Sequence, residues 1–496
     1  MYRTTAHQRG ISLSRILPEA TLPAGEIVVT SCCADSRACR AGDLFIALPG
    51  ASNDGHQHVR EAVENGAKAI LAGRMLADCS VPVCYVADVN HAYGHVCQAL
   101  AGHPARRLKT IAITGTNGKT TTSCLVASVL AAGGYKSGLL GTLGYFDGDE
   151  WSDAAWTTPP QNVLANWMAR MAAGGCSHAV MEASSHALAQ ERLAGVELDV
   201  ACVTNIRHDH LDYHGTWPKY REAKARLFDH LTPEGFAIVN VDDGAAESLL
   251  AQVNGPVLSI GINGPAEITA VPLEQFASEQ TFLLCAGNET IAVRTPLIGQ
   301  HNILNCLMAA AVGTVYSIDL PTIVVGLESI QRVRGRLERI ECGQPFGVFI
   351  DYAHTPDALT ASLNTLRQVT SGRLICVFGA GGDRDKSKRG LMGRAVEAAA
   401  DVAIVTSDNP RGESPRAIIA EVVAGFNEPA AARPVVDRRD AIVWALEEAR
   451  PGDCVLIAGK GHETYQIIGD QRFSFDDREV ASRWLYESAP AVGRAA

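Results

Sequence analysis

The sequence predicts an α/β protein of three domains: a small N-terminal α/β unit, a central doubly wound, mostly parallel sheet, and a C-terminal Rossmann-like unit. Three observations carry this reading. A chain of 496 residues is too long for one hydrophobic core. Through its middle, short apolar runs rich in β-branched residues alternate with helical segments, the pattern of a parallel sheet covered on both faces. After Arg334-Gly335-Arg336 the alternation starts again, which predicts a second such sheet.

Residues 1–107 form the first unit. Its apolar runs, Ile27-Val28-Val29, Leu44 to Leu48 and Ala69-Ile70-Leu71, lie between glycine-rich turns and read as strands. His103-Pro104-Ala105-Arg106-Arg107 reads as a linker. In the second unit, 108–333, Thr110 to Thr114 is a strand and Thr120 to Ala132 a helix stopped by Gly133-Gly134. Further buried-type strands are Ala179-Val180-Met181, Val200 to Thr204 and Ala237 to Asn240. The third unit, 334–496, has strands at Val348-Phe349-Ile350, Leu374 to Phe378, Val402 to Val405 and Val455 to Ala458.

An apolar fraction of 47% with 20% charged residues fits ordered globular domains. The net charge of -11 lacks the basic footprint that nucleic-acid binding needs, so phosphate affinity has to come from local loops. The 14 cysteines sit mostly inside apolar runs such as Ala201-Cys202-Val203 and read as reduced core thiols; the adjacent pair Cys32-Cys33 lacks metal-ligand spacing. No stretch approaches the roughly 18 apolar residues of a membrane span, and Met1 to Thr5 opens no apolar leader. The expectation is a cytoplasmic monomer whose ligands are small anions.

The chemistry begins at Gly115-Thr116-Asn117-Gly118-Lys119-Thr120-Thr121. Between a strand and a helix, this loop offers successive backbone N–H groups and a helix N-terminus to phosphate. Lys119 supplies a point charge, and the Thr120 hydroxyl suits magnesium. Strict Walker A spacing would place glycine at Ile113, so this is a shorter variant of the phosphate-binding (P-loop) motif. Glu182 closes another strand, and Asp209-His210-Leu211-Asp212-Tyr213-His214 follows a third. Ligands of open α/β sheets bind outside the carboxyl ends of strands, so a carboxylate and an imidazole are expected to converge there on the metal ions that accompany ATP. His186 and His214 read as loop-positioning residues. From the residues alone, Lys224 reads as a surface lysine of a helix that begins near Thr216-Trp217-Pro218. Gly379-Ala380-Gly381-Gly382 lacks the spacing of a dinucleotide fingerprint.

The loop, the Glu182 segment, Asp209 to Gly215, Glu222-Ala223-Lys224-Ala225-Arg226-Leu227-Phe228 and Asp351-Tyr352-Ala353-His354-Thr355-Pro356-Asp357-Ala358-Leu359 together resemble the Mur ligase family over nearly the whole chain. The resemblance implies a three-domain, ATP-dependent amide-bond-forming ligase of peptidoglycan precursor synthesis. Its N-terminal domain holds a UDP-sugar, its central domain ATP, and its C-terminal domain the incoming amino acid. Within the family, the likeness is to ligases that join meso-2,6-diaminopimelate to the D-glutamate of UDP-N-acetylmuramoyl-L-alanyl-D-glutamate through an acyl phosphate. Activation is a physical necessity, because a carboxylate is a poor electrophile toward an amine.

The resemblance also implies roles residue by residue. Lys119, Glu182, His210 and a carbamylated Lys224 are catalytic, and Thr120, Glu182, His210 and Lys224 surround Mg2+. The loop 115–121 takes the ATP phosphates, Asn302 and Asn305 the adenine side, and Arg336 and Asp351 the ribose side. Ala34, Ser36, Ala51, Ser52 and Asn53 face the UDP moiety, with Thr157, Thr158, Ser184, Gln190 and Arg192 on the muramoyl dipeptide. Diaminopimelate falls to Arg384, Asp408, Asn409, Pro410, Arg411, Gly459 and Glu463. A planar guanidinium at Arg411 suits the second carboxylate of diaminopimelate better than the ammonium of lysine. Trp156, before Thr157-Thr158, and Arg207-His208, before Asp209, depart from the family pattern. Two rivals stay open: a sister ligase such as a folylpolyglutamate synthase, which the arginines Arg384 and Arg411 oppose, and a non-catalytic nucleotide switch, which Lys224 and the amino-acid site oppose.

Overall fold

A computed structural model describes residues 3–5, 10–23, 26–50, 53–207 and 209–488. Three main sheets divide the chain. The N-terminal sheet runs Arg3–Thr5, Ser31–Cys33, Leu44–Ile46, Ala69–Ala72, Val83–Tyr85 in spatial order, parallel except for its first strand. The expected linker is instead a 3-10 turn, Pro104–Arg107, whose Pro104 and Ala105 are buried. It leads into the central sheet without a free tether, because Ala105 packs into the central core.

The central sheet has eleven strands. Seven of them are parallel, in the order Ser137–Gly141, His178–Glu182, Lys109–Thr114, Leu198–Val203, Leu231–Asn240, Val257–Gly261 and Ile268–Gln275. Strand residues alternate between two cores: Ile111, Ile113, Val180 and Cys202 pack on one face, and Ala112, Met181, Ala201 and Val203 on the other. This two-sided burial is why the strands read as continuous apolar runs. Antiparallel additions close both edges. The hairpin strands Gln280–Ala286 and Glu289–Thr295 extend one of them, a feature the sequence reading does not contain. Their burial alternates along the strand, so the runs are broken by exposed polar residues and lack the continuous signal of the inner strands.

In the C-terminal sheet the order is Glu338–Arg339, Gly347–Asp351, Cys454–Ala458, Leu374–Phe378, Val402–Val405, Ala432–Pro434, parallel after the first strand. The four strands expected there are present to within a residue. An added hairpin, Tyr465–Ile468 with Gln471–Ser474, folds back to reach Arg411. No helix among the described residues is long and apolar enough to cross a membrane.

Candidate active site

Register decides where the site lies. Lys109–Thr114 is flanked by His178–Glu182, with Glu182 paired to Ile113, and by Leu198–Val203, with Val203 paired to Thr114. The phosphate loop, Glu182 and the 204–207 segment therefore leave three adjacent strands at the same level. From Lys109–Thr114 the chain moves outward on one side and later returns on the other, so this is the switch point where doubly wound sheets open a crevice. A cleft of about 830 Å³ occupies it, walled on the far side by the C-terminal domain through Arg336, Asp351, Arg384, Asp408, Arg411 and Glu463.

Two glycines let the loop close. Gly115 has φ +151° and a Cβ there would lie 1.9 Å from the Thr204 hydroxyl; Gly118 has φ +86° and its Cβ would lie 2.5 Å from Asn305 Oδ1. Gly118 thus takes a backbone region that side chains avoid, and places Lys119 at the start of helix Lys119–Ala132. Lys119 Nζ donates to the carbonyls of Gly115 (2.8 Å) and Thr116 (3.0 Å). Burial lowers its ammonium pKa, while the facing Glu182 works the other way. Lys224 is the largest departure from the residue-level reading. It is 1% exposed rather than on the surface, and donates 2.8 Å to the same Gly115 carbonyl. Helix Trp217–Ala225 packs this face inward beside Tyr220, whose ring centre is 4.8 Å from Nζ. Burial first, and neighbouring Lys119 second, push the Lys224 amine well below its usual range, which favours the neutral form.

Glu182 is 1% exposed and fully engaged: Thr120 Oγ1 donates to it (3.0 Å), as do the Thr142 N–H (2.8 Å) and Thr142 hydroxyl (3.0 Å). Arg336, from the C-terminal domain, donates 3.1 Å to the Thr120 hydroxyl, joining the two walls at the helix start. The Nε of Arg336 has no hydrogen-bond partner among the described residues, a donor suited to an anion in the cleft. His210 sits at φ +53°, with Nε2 3.4 Å from Asp209 Oδ2. Its ring packs edge-on to His186 at 4.8 Å, and His186 in turn meets Tyr213 at 4.2 Å. Burial holds His186, His210 and His214 at about 4, so all three are neutral imidazoles at pH 7.

Beside the phosphate loop, Asn305 Nδ2 donates to Asn302 Oδ1 (3.0 Å) and Asn302 Nδ2 to the Ile298 carbonyl (2.8 Å). Asp351 accepts the N–H groups of Leu337 (2.7 Å) and Ala353 (2.9 Å), which shape the turn that presents Arg336. On the C-terminal wall, Arg411 has φ +50° and is held by the hairpin, its N–H donating to the Ile467 carbonyl (3.1 Å). Its guanidinium donates to the Gly382 carbonyl (2.8 Å). Asn409 is a brace: its amide donates to Glu463 (2.7 Å) while its oxygen accepts from Lys460 Nζ and the Ile467 N–H, both 3.0 Å. Burial first, then Asp408, raises the Glu463 carboxyl pKa. Gly459 has no room for a side chain, since a Cβ would meet Asp408 at 2.6 Å.

Thr157, Thr158, Ser184, Gln190 and Arg192 line the central wall. Arg192 donates to the Thr158 carbonyl (2.6 Å) and to Gln190 (2.8 Å), and the Thr158 hydroxyl donates to the Glu182 carbonyl (2.8 Å). Ser184 also caps helix Ser185–Ala189. Not every candidate lines the cleft. Gly115, Lys224 and Pro410 stand behind the lining, and Ala34, Ser36 and Asn53 belong to the N-terminal domain. Ser36 is buried, its hydroxyl donating 2.5 Å to Glu61, and Asn53 Oδ1 accepts from His58 Nε2 at 2.6 Å. Ala51, Ser52 and His208 lie outside the described residues. Thr142, His301, His354 and Lys388 line the cleft without having been singled out. His354 lay inside a quoted motif; Thr142 follows the unpredicted strand Ser137–Gly141, which is glycine-rich and short.

The Mur ligase middle-domain family matches residues 113–313, the Mur ligase glutamate-ligase domain 335–461, and the Mur ligase family catalytic domain 28–99. A protein of Bacillus licheniformis named UDP-N-acetylmuramoyl-L-alanyl-D-glutamate--2,6-diaminopimelate ligase is 42% identical over 466 residues, covering 92% of this chain and 95% of its own length. One of the same name from Synechococcus elongatus is 42% identical over 479 residues, covering 94% and 96%. A solved structure titled with that ligase name superposes with a TM-score of 0.68 at 33% identity, over 97% of this chain and 99% of its own. With its P-loop, paired lysines and facing C-terminal wall, this chain belongs to the Mur ligase family of ATP-dependent amide-bond ligases.

Proposed function

We propose that this ligase adds meso-2,6-diaminopimelate to the D-glutamate of UDP-N-acetylmuramoyl-L-alanyl-D-glutamate, in the cytoplasm, by way of an acyl phosphate. The observation that carries the substrate choice is Arg411, whose guanidinium is held by the Gly382 carbonyl in the same cleft lining as the partly buried carboxylate of Glu463. A distal carboxylate would meet the first and a distal ammonium the second, which is the charge pattern of one end of diaminopimelate. Lysine carries the ammonium alone, and glutamate the carboxylate alone.

In this reading domains 1–107, 108–333 and 334–496 hold nucleotide-sugar, ATP and amino acid respectively, a division that the three sheets support. Thr120, Glu182 and His210 would hold Mg2+. Two hard oxygen donors 3.0 Å apart beside a phosphate loop fit that ion, with phosphate oxygens completing its shell. When bound, the ion neutralises charge on the transferring phosphoryl group. Lys119 would move from the loop carbonyls onto the phosphates. Lys224, as the buried neutral amine, is the group able to take up carbon dioxide and become a carbamate. The dipeptide carboxylate, steered by Arg192 and Thr158, would attack the γ-phosphorus, and the amine held by the C-terminal wall would then displace phosphate. Product assays with diaminopimelate, lysine and glutamate test this directly. Diaminopimelate is expected to be the accepted amine, and a preference for lysine overturns the substrate assignment.

A further inference from the structure

The N-terminal domain holds a second cluster of metal-ligating groups, remote in kind from the magnesium set. Cys33 ends strand Ser31–Cys33, Cys39 follows the 3-10 turn Ser36–Ala38, and Asp43 precedes strand Leu44–Ile46. Cys33 pairs with Phe45 across the parallel ladder, so the sheet brings both ends of this excursion back together. One donor atom from each residue, two sulfurs and a carboxylate oxygen, lies within 4.8 Å of the others. All three residues are buried, at 0%, 6% and 0% exposure. Cys32 turns to the opposite face, its Sγ 3.8 Å from Cys97 Sγ, as strand alternation requires. The sequence reading weighed only Cys32-Cys33, and dismissed it; the grouping here joins every other face of the strand to a loop and becomes visible only in the fold.

We propose that Cys33, Cys39 and Asp43 form a site for one thiophilic divalent cation, of which zinc is the type, with two thiolates and a carboxylate as its protein ligands. Zinc–sulfur bonds of ~2.3 Å set tetrahedral corners ~3.8 Å apart, so side-chain shifts of ~1 Å close this cluster around an ion. Asp43 stays a competent ligand while hydrogen-bonded. Its Oδ1 accepts the Ser31 hydroxyl and its Oδ2 the Arg40 N–H at 2.9 Å, and each carboxylate oxygen has a second lone pair. Binding releases the thiol protons, and an ion bridging Cys33 to Cys39 ties both ends of the Asp35–Ala38 turn. Ser36 lies on that turn, so metal occupancy fixes the shape of the segment assigned to the nucleotide-sugar, a consequence that rests on the proposed function. The metal site itself does not.

The test uses the full chain, reduced and stripped of metal, titrated with Co2+ as a spectroscopic probe. One equivalent should give a thiolate-to-cobalt charge-transfer band that Zn2+ abolishes by displacement. Cys33→Ser and Cys39→Ser should each remove the band, with circular dichroism confirming the fold, whereas Cys97→Ser should keep it. Absence of the band from the unmodified protein overturns the proposal without recourse to any variant. So does a band that survives in the Cys33→Ser/Cys39→Ser double variant. Neither readout involves substrates, so failure here is distinct from failure of the diaminopimelate reading.

Discussion

The two walls of the cleft handle their charges in opposite ways. On the central wall, Lys119 and Lys224 both donate to a single backbone carbonyl, that of Gly115, with no carboxylate within ion-pair distance among the described residues. Behind the lining of the C-terminal wall charges come in matched sets: Lys460 lies 3.6 Å from Glu463 and 3.8 Å from Asp408, and the buried Arg389 bonds Glu413 and Glu421, each at 2.8 Å. A carbonyl is a weaker partner for a buried lysine than a carboxylate is. In the proposed reading the lysines of the first wall exchange partners when phosphate arrives, and the second wall stays as it is while the amino acid docks. Chemistry is assigned to the wall with exchangeable contacts, and selectivity to the rigid one.

Four changes would break or sharpen this contrast. The largest effect is expected from Lys224→Ala, which should cut ligation on the order of 1000-fold or more, since in the proposed reading it removes the carbamate that helps to hold the magnesium ion. Partial rescue by a short carboxylic acid would mark the lost group as a carbamate; full activity in the variant would remove it from the chemistry. Arg411→Ala comes next. Loss of a charge-assisted, bidentate contact should weaken diaminopimelate binding by roughly 2 to 4 kcal/mol, about 30- to 1000-fold, with the Michaelis constant for ATP unmoved. Third, Arg336→Ala severs the bond that joins the walls at Thr120, and a rise of about 10- to 100-fold in the ATP requirement is expected.

The smallest effect is on stability. Burial holds His178 and His214 at about 4, below the ordinary imidazole value of 6.5. As pH falls through 6.5 the unfolded chain binds protons on these rings and the folded chain does not, so stability is lost between 6.5 and about 4 and the loss is complete below that. About one pH unit below 6.5 each ring should cost about 1 kcal/mol. Melting temperatures measured across this window should fall, and a flat profile would show that the rings are protonated within the fold.

Much of this was legible in the sequence because buried parallel strands write continuous apolar runs: Leu374–Phe378 and Val402–Val405 are found to the residue. The phosphate loop announces itself through glycines whose backbone geometry few other residues adopt. What escaped lacks such a local signature. The hairpin 280–295 alternates in burial, and the hairpin 465–474 that holds Arg411 is largely exposed. The depth of Lys224 depends on which face of a polar helix meets Tyr220 and the loop, and a helix rich in charged residues reads as solvent-facing. Thr142 acts through a long-range contact to Glu182 that no spacing in the chain reveals.

The acyl phosphate is tested most directly by oxygen transfer. UDP-N-acetylmuramoyl-L-alanyl-D-glutamate labelled with heavy oxygen in the D-glutamate side-chain carboxylate is turned over with ATP and diaminopimelate, and the released phosphate is analysed by mass spectrometry. One heavy oxygen per phosphate is the predicted result, because the carboxylate oxygen that attacks the γ-phosphorus departs with it. Released phosphate free of label, at full product yield, would contradict activation of the carboxylate by phosphoryl transfer.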